Sequence, residues 1–98
     1  MSLIQAARPL LGNHTHTVTA EISAHPSDAN KMVVVLKPVT QALPKDASAE
    51  LRQLVAGLAM PIKAVGHPDE IEVEIEQAVA SAAPRRDEWE RRADAIDT

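Results

Sequence analysis

The chain must build its core almost without aromatic rings. Its 98 residues include one Trp, Trp89, and no Phe or Tyr. Aromatic side chains ordinarily supply the largest buried areas, so here the apolar surface has to come from many small aliphatic contacts among Ala, Val, Leu and Ile. That demands layered elements with matched apolar stripes. A chain of this length makes one domain rather than two. It buries roughly 60–65% of the surface its unfolded form exposes, which is sufficient for a modest core. There are no cysteines, which removes disulfides and thiolate metal sites.

The apolar pattern changes period along the chain. Leu3, Ile4, Ala7, Leu10 and Leu11 fall at spacings of three and four, a short helix over 3–11 with Pro9 confining it and Gly12-Asn13 stopping it. Residues 14–24 alternate, with His14, His16, Val18, Ala20 and Ile22 on one side of a half-buried strand. After the turn residues His25 to Asn30, the run Met32 to Leu36 reads as a second strand with both faces partly covered, paired antiparallel to the first. Lys37 to Lys45, with two prolines, reads as a loop.

Leu51, Leu54, Val55 and Leu58 predict a helix over 47–58, capped by Ser48 or Asp46. Pro61 to Val65 is a third strand. Gly66-His67-Pro68 leads into a helix over 68–82, with Pro68 at its first position and Ile71, Ile75, Ala78, Val79 and Ala82 as its buried stripe. Pro84 separates off a charged helix, Arg85 to Ile96, with Asp87–Arg91 and Glu88–Arg92 in the stabilising order. The expected fold is α+β: a small antiparallel sheet of about three strands packed against helices, with a charged C-terminal helix. Residues 1–84 form the domain, and 85–98 are its charged C-terminal helix.

The chemistry that can be sought by spacing is sparse. His14 and His16 share a strand face and could hold a divalent metal if a third ligand came from elsewhere, but no ligand at fixed spacing completes the set. No metal site is therefore assigned. His67 reads as a cap residue with no nucleophile signalled beside it. The sequence has no Gly-rich phosphate loop, no nucleophile elbow and no zinc-protease signature. It therefore assigns no catalytic residue and no cofactor, and the expectation is a protein that is not an enzyme.

What remains is surface. Glu70, Glu72, Glu74 and Glu76 form an acidic strip on the third helix, the solvated side of an amphipathic helix or a docking strip for a basic groove. Trp89, with Ala93 and Ile96, makes a narrow apolar stripe among Arg85, Arg86, Arg91 and Arg92. It either docks on the core or is offered to a partner. The partner-binding candidates are Glu70, Glu72, Glu74, Glu76, Trp89, Arg85 and Arg92. The net charge of −4 and the lack of stacking rings disfavour direct nucleic-acid binding. No apolar run is long enough to span a bilayer, and no secretory leader is visible, so the expected location is cytoplasmic. The narrow Trp89 stripe and a first strand at a sheet edge also lead to the expectation of a homodimer with Trp89 at or near the contact.

Three stretches carry a family likeness. They are Pro9-Leu10-Leu11, the strand end Val35-Leu36-Lys37-Pro38, and above all Met60-Pro61-Ile62-Lys63-Ala64-Val65-Gly66-His67-Pro68-Asp69-Glu70-Ile71. Read in order, the chain resembles the N-terminal region of PRTRC system protein E, a family of bacterial plasmids and other mobile elements, over roughly two thirds of its length. It departs from that family in having Ile71 where Leu is usual, a helical insertion near 47–58, and no long Lys/Ala-rich tail. The resemblance implies a mobile-element accessory protein and no known activity, and it brings no catalytic residue; the leading reading is a non-enzymatic protein-interaction module of such an element. The alternative is an acidic inhibitor of a host nucleic-acid-binding defence complex, a nucleic-acid mimic of the anti-CRISPR kind. A third reading is a small enzyme or metal-binding protein that uses His14, His16 and His67.

Overall fold

The computed structural model describes residues 3–97; residues 1, 2 and 98 of the expected boundaries lie outside them. In chain order the elements are α1 (Leu3–Ala7), a 3-10 turn (Arg8–Leu10), β1 (Thr15–Ala24), β2 (Met32–Thr40), α2 (Ala49–Leu58), β3 (Ile62–Gly66) and α3 (Ile71–Asp97). The sheet is antiparallel throughout, in the order β1-β2-β3. This is the α+β arrangement the apolar periods predict.

The β1–β2 hairpin closes through side-chain chemistry. His25 Nδ1 accepts the backbone N–H groups of Ser27 (3.1 Å) and Asp28 (3.0 Å), and Asp28 Oδ1 accepts that of Asn30 (2.9 Å). Register then places Ile22 opposite Val34 and Val34 opposite Ala64. The inner face of β2 and β3 packs Val34, Leu36 and Ala64 against Ile71, Ile75 and Val79 of α3, with Ala6 and Leu10 closing the end. The buried residues Ile71, Ile75 and Val79 recur every fourth position, so they line one face of that helix.

Several expectations are corrected. The N-terminal helix breaks into a short α-helix and a 3-10 turn at Pro9, as a missing N–H there requires. β2 does not stop at Lys37 but runs through Pro38 to Thr40. Pairing with β3 ends at Leu36, so beyond it β2 has only one paired edge, where a proline is tolerated. Ala20 and Ile22 lie on the inward side of β1 but are exposed, because α3 lies over β2 and β3. The helix expected at 68 begins at Ile71, since Pro68 to Glu70 form a turn in which His67 O accepts the N–H groups of Glu70 and Ile71, each at 2.9 Å.

The largest correction concerns Pro84, which interrupts nothing. α3 is one helix of 27 residues passing through it. Pro84 and Ala80, the residue whose carbonyl it frees, are both on the exposed side, where water can take the lost bond. Both halves of the helix are held by packing. The first half lies on the sheet. The second packs Ala93, Trp89 and Ile96 against Leu51, Leu54 and Val55 of α2, whose start Ser48 caps by accepting the Leu51 N–H at 3.1 Å. The narrow Trp89 stripe is thus covered by its own chain, because α2 brings the wide one.

If α3 is continuous, Pro84→Ala should raise stability by about 2 kcal/mol, the ~3 kcal/mol cost of an interior proline less the ~1 kcal/mol gained by freeing the unfolded chain. The urea midpoint should move up. A lower midpoint would mean that the proline serves as a real break.

Candidate functional site

Arg86, Glu90 and Asp94 recur every fourth residue and so line one face of α3. They meet the segment Leu10 to Thr15, where the chain leaves the 3-10 turn and enters β1. Arg86 is the first and deepest, only 6% exposed. Its Nη1 donates to Leu58 O at 2.7 Å and its Nη2 to Leu10 O at 3.1 Å. These are the last residues of α2 and of the 3-10 turn, so one guanidinium serves two terminal carbonyls that lack partners within their own helices. Burial lowers the Arg86 pKa below its ordinary value, while the charges of Glu90 and Asp87 act to raise it.

Glu90 lies one turn on. Both its carboxylate oxygens are shut off from solvent and, among the described residues, neither has a hydrogen-bond partner. The carboxylate occupies space left by Gly12, where a Cβ would come within 2.5 Å of Oε1. A larger residue at 12 would displace it.

His14 is 2% exposed. Its Nε2 stands 2.8 Å from Asp94 Oδ1 and 3.9 Å from Glu90 Oε2. Asn13 Nδ2 also reaches the Asp94 carboxylate, at 3.3 Å to Oδ2 and 3.4 Å to Oδ1. The backbone holds this segment: Gly12 N–H donates to Thr15 O at 3.0 Å and Gln41 N–H to His14 O at 3.2 Å. Thr15 is fully buried and its hydroxyl oxygen has no hydrogen-bond partner among the described residues, nor has His14 Nδ1. One imidazole and two carboxylates therefore converge, with their ligand atoms within 4.8 Å of one another.

The structure separates the two histidines expected on one face. The pairing of β1 with β2 steps between Thr15 and Thr17, leaving His16 as the extra residue of a bulge, which resets the alternation. His16 is exposed, its ring bonded to Asn13 O at 3.1 Å. His67 caps no helix with its side chain. Its Nδ1 lies 3.0 Å from Asn30 O and ties the β3–α3 turn to the hairpin.

Glu70, Glu72, Glu74 and Glu76 are all exposed. Trp89 is half-buried in a notch at Gly57, where a Cβ would lie 2.9 Å from the ring. Arg85 stacks over that ring at 5.1 Å, and Arg92 pairs with Glu50 of α2 at 2.8 Å rather than with Glu88. Trp89, Arg85 and Arg92 are thus engaged within the chain. None of the expected partner-binding residues joins the His14 cluster. Sequence reasoning missed Arg86, Glu90 and Asp94; the four-residue spacing was visible, but nothing in it pointed to a histidine some eighty positions away.

No family model, curated protein or solved structure matches the chain. No helix among the described residues is long and apolar enough to cross a membrane.

Replacing Arg86 by Met leaves two buried carbonyls and the Glu90 charge without their partner. It should cost about 3–5 kcal/mol in urea unfolding, whereas Arg85→Met, on the exposed face, should cost under about 1 kcal/mol. Equal effects at the two positions would contradict the anchoring role.

Proposed function

We propose that the chain is a non-enzymatic protein-interaction module of a bacterial mobile genetic element, and that it takes an extended segment of a protein partner along the free edge of β1. The observation that carries this reading is the state of that strand. β1 is an edge strand of the sheet, ten residues long, and exposed along almost its whole length. It contains no proline, and its one carboxylate, Glu21, is paired with Lys37 at 2.7 Å, which holds the Glu21 pKa below its ordinary value by a hydrogen bond and by charge. A long edge without blunting charges or bulges beyond His16 is a template for an added strand.

Side-chain recognition is provided next to it. Ile4, Ala7, Arg8, Leu11 and Val18 line a groove of about 340 Å³ between α1 and β1. Ile4 is 81%, Leu11 49% and Ile22 56% exposed, a concentration of aliphatic surface that extends along the strand. The complementary partner is an extended segment with apolar residues at alternate positions and an acidic residue for Arg8. The mobile-element setting rests on the short stretches that resemble PRTRC system protein E, and a cytoplasmic location belongs to the same reading.

A second reading has one observation in its favour. The exposed carboxylates of Glu70, Glu72, Glu74 and Glu76 make no ion pair among the described residues, as a mimic of nucleic-acid phosphates aimed at a host defence complex would require.

Co-expression with the proteins of one mobile element, followed by affinity capture and sedimentation, separates these readings. Wild type should capture a protein from that set. Ile22→Lys should weaken the capture at least tenfold with the fold unchanged, because burying that side chain is worth about 1–2 kcal/mol and a buried ammonium costs more. Glu72→Lys/Glu76→Lys should leave it intact. Capture that survives Ile22→Lys overturns the edge-strand reading. Capture of a host nucleic-acid-binding complex that is lost with the lysine pair on α3 favours the mimic. A homodimer that Ile22→Lys dissociates puts a second copy on β1.

A further inference from the structure

We propose that His14, Glu90 and Asp94 form a binding site for a divalent transition-metal ion of the Zn²⁺ class, which fastens the start of β1 to the last turns of α3. The proposal is independent of how β1 meets a partner.

The first argument is the condition of Glu90. Its two carboxylate oxygens are buried with no hydrogen bond among the described residues, and a desolvated carboxylate left in that state is costly. Arg86 supplies charge from the preceding turn but directs its guanidinium hydrogen bonds to the carbonyls of Leu10 and Leu58. It therefore gives Glu90 charge without a hydrogen bond, and the two Glu90 oxygens keep a place for a cation.

Geometry and donor chemistry give the class of ion. Zn²⁺ holds nitrogen and oxygen ligands at about 2.0–2.2 Å, which in a tetrahedron spaces them about 3.3 Å apart. His14 Nε2 lies 2.8 Å from Asp94 and 3.9 Å from Glu90, distances on either side of that value. Small rotations of the two carboxylates would open the first and close the second. One imidazole with two carboxylates suits zinc and its neighbours, whereas Mg²⁺ and Ca²⁺ favour all-oxygen sets. The ion has a way in, since the Asp94 side chain is 45% exposed while that of His14 is 3%. Water would complete the coordination on that side. Asn13 Nδ2 holds the Asp94 carboxylate from outside, the kind of outer support that orients metal ligands.

Full-length protein stripped with chelator and titrated with ZnCl₂ in a calorimeter should bind one ion per chain with micromolar or tighter affinity. At a hundredfold excess over Kd the melting temperature should rise by roughly 10–20 °C. Glu90→Gln and Asp94→Asn, which keep side-chain shape, should each weaken binding at least tenfold, while His16→Ala should not change it. Imidazole ¹⁵N spectra of the wild type read the site without any substitution: the Nε2 resonance of His14 should move to a metal-bound position. Absence of binding up to 100 μM Zn²⁺ overturns the proposal. So does binding that persists in the Glu90→Gln or Asp94→Asn protein, or a metal-bound shift at His16 in place of His14.

Discussion

Arg86 carries a buried charge that ties together three separate parts of the chain. It belongs to α3, yet its guanidinium ends on the last carbonyl of α2 and the last carbonyl of the N-terminal 3-10 turn. Arginine suits this position better than lysine because its planar fork can serve two diverging acceptors while keeping its charge. Burial opposes that charge and Glu90 one turn away supports it. If the guanidinium left, two helix ends would keep unsatisfied carbonyls in the interior and Glu90 would lose a countercharge. The position of the His14 cluster follows from the same contact, since the bond to Leu10 O fixes where the chain turns toward Gly12, Asn13 and His14.

α3 works as a spine because its sequence changes task halfway. Up to Ala82 it presents small and branched aliphatics to the sheet, and beyond Pro84 it presents Trp89, Ala93 and Ile96 to α2. Without Phe or Tyr, the helix is held by two aliphatic-rich clusters rather than one, in an elongated molecule of 47 × 23 × 17 Å. The single Trp is placed where ring area matters most, in a notch that only Gly57 could leave open. The geometry also leaves β1 uncovered, since α3, lying over β2 and β3, does not extend to the outer strand. The exposed Ile22 and the groove beside Leu11 are consequences of that mismatch.

The periodic signals were legible wherever one face of an element met one apolar surface. Ile71, Ile75 and Val79 announced their helix, Leu51, Leu54, Val55 and Leu58 announced another, and Ser48 and Asp46 were its two cap candidates, of which the structure uses Ser48. Prolines misled because their cost depends on whether the N–H they lack had a partner to lose. Pro38 sits where β2 has lost its β3 neighbour, and Pro84 faces solvent, so neither ends its element. Alternation in β1 was read through His16 without a break, but a bulge at that residue sends His14 inward and His16 out. Only one member of the candidate site, His14, could be sought from spacing. His14 was visible as a donor, whereas Glu90 and Asp94 are brought to it by the fold, and Arg86 looked like one more surface arginine in a charged helix.

The central claim is that α3 and its Arg86 contacts join the sheet and α2 into one cooperative unit. Native-state hydrogen exchange along α3 tests it most directly, because segments that open independently exchange at lower free energy than those that open only with the whole molecule. The account predicts that amides from Ile75 to Val79 and those from Glu90 to Ala93 share one opening free energy, equal to that of global unfolding. Exchange of the second group at a free energy several kcal/mol below the first, with no change at the first, would contradict it and leave the C-terminal half of the helix as a separate, loosely held segment.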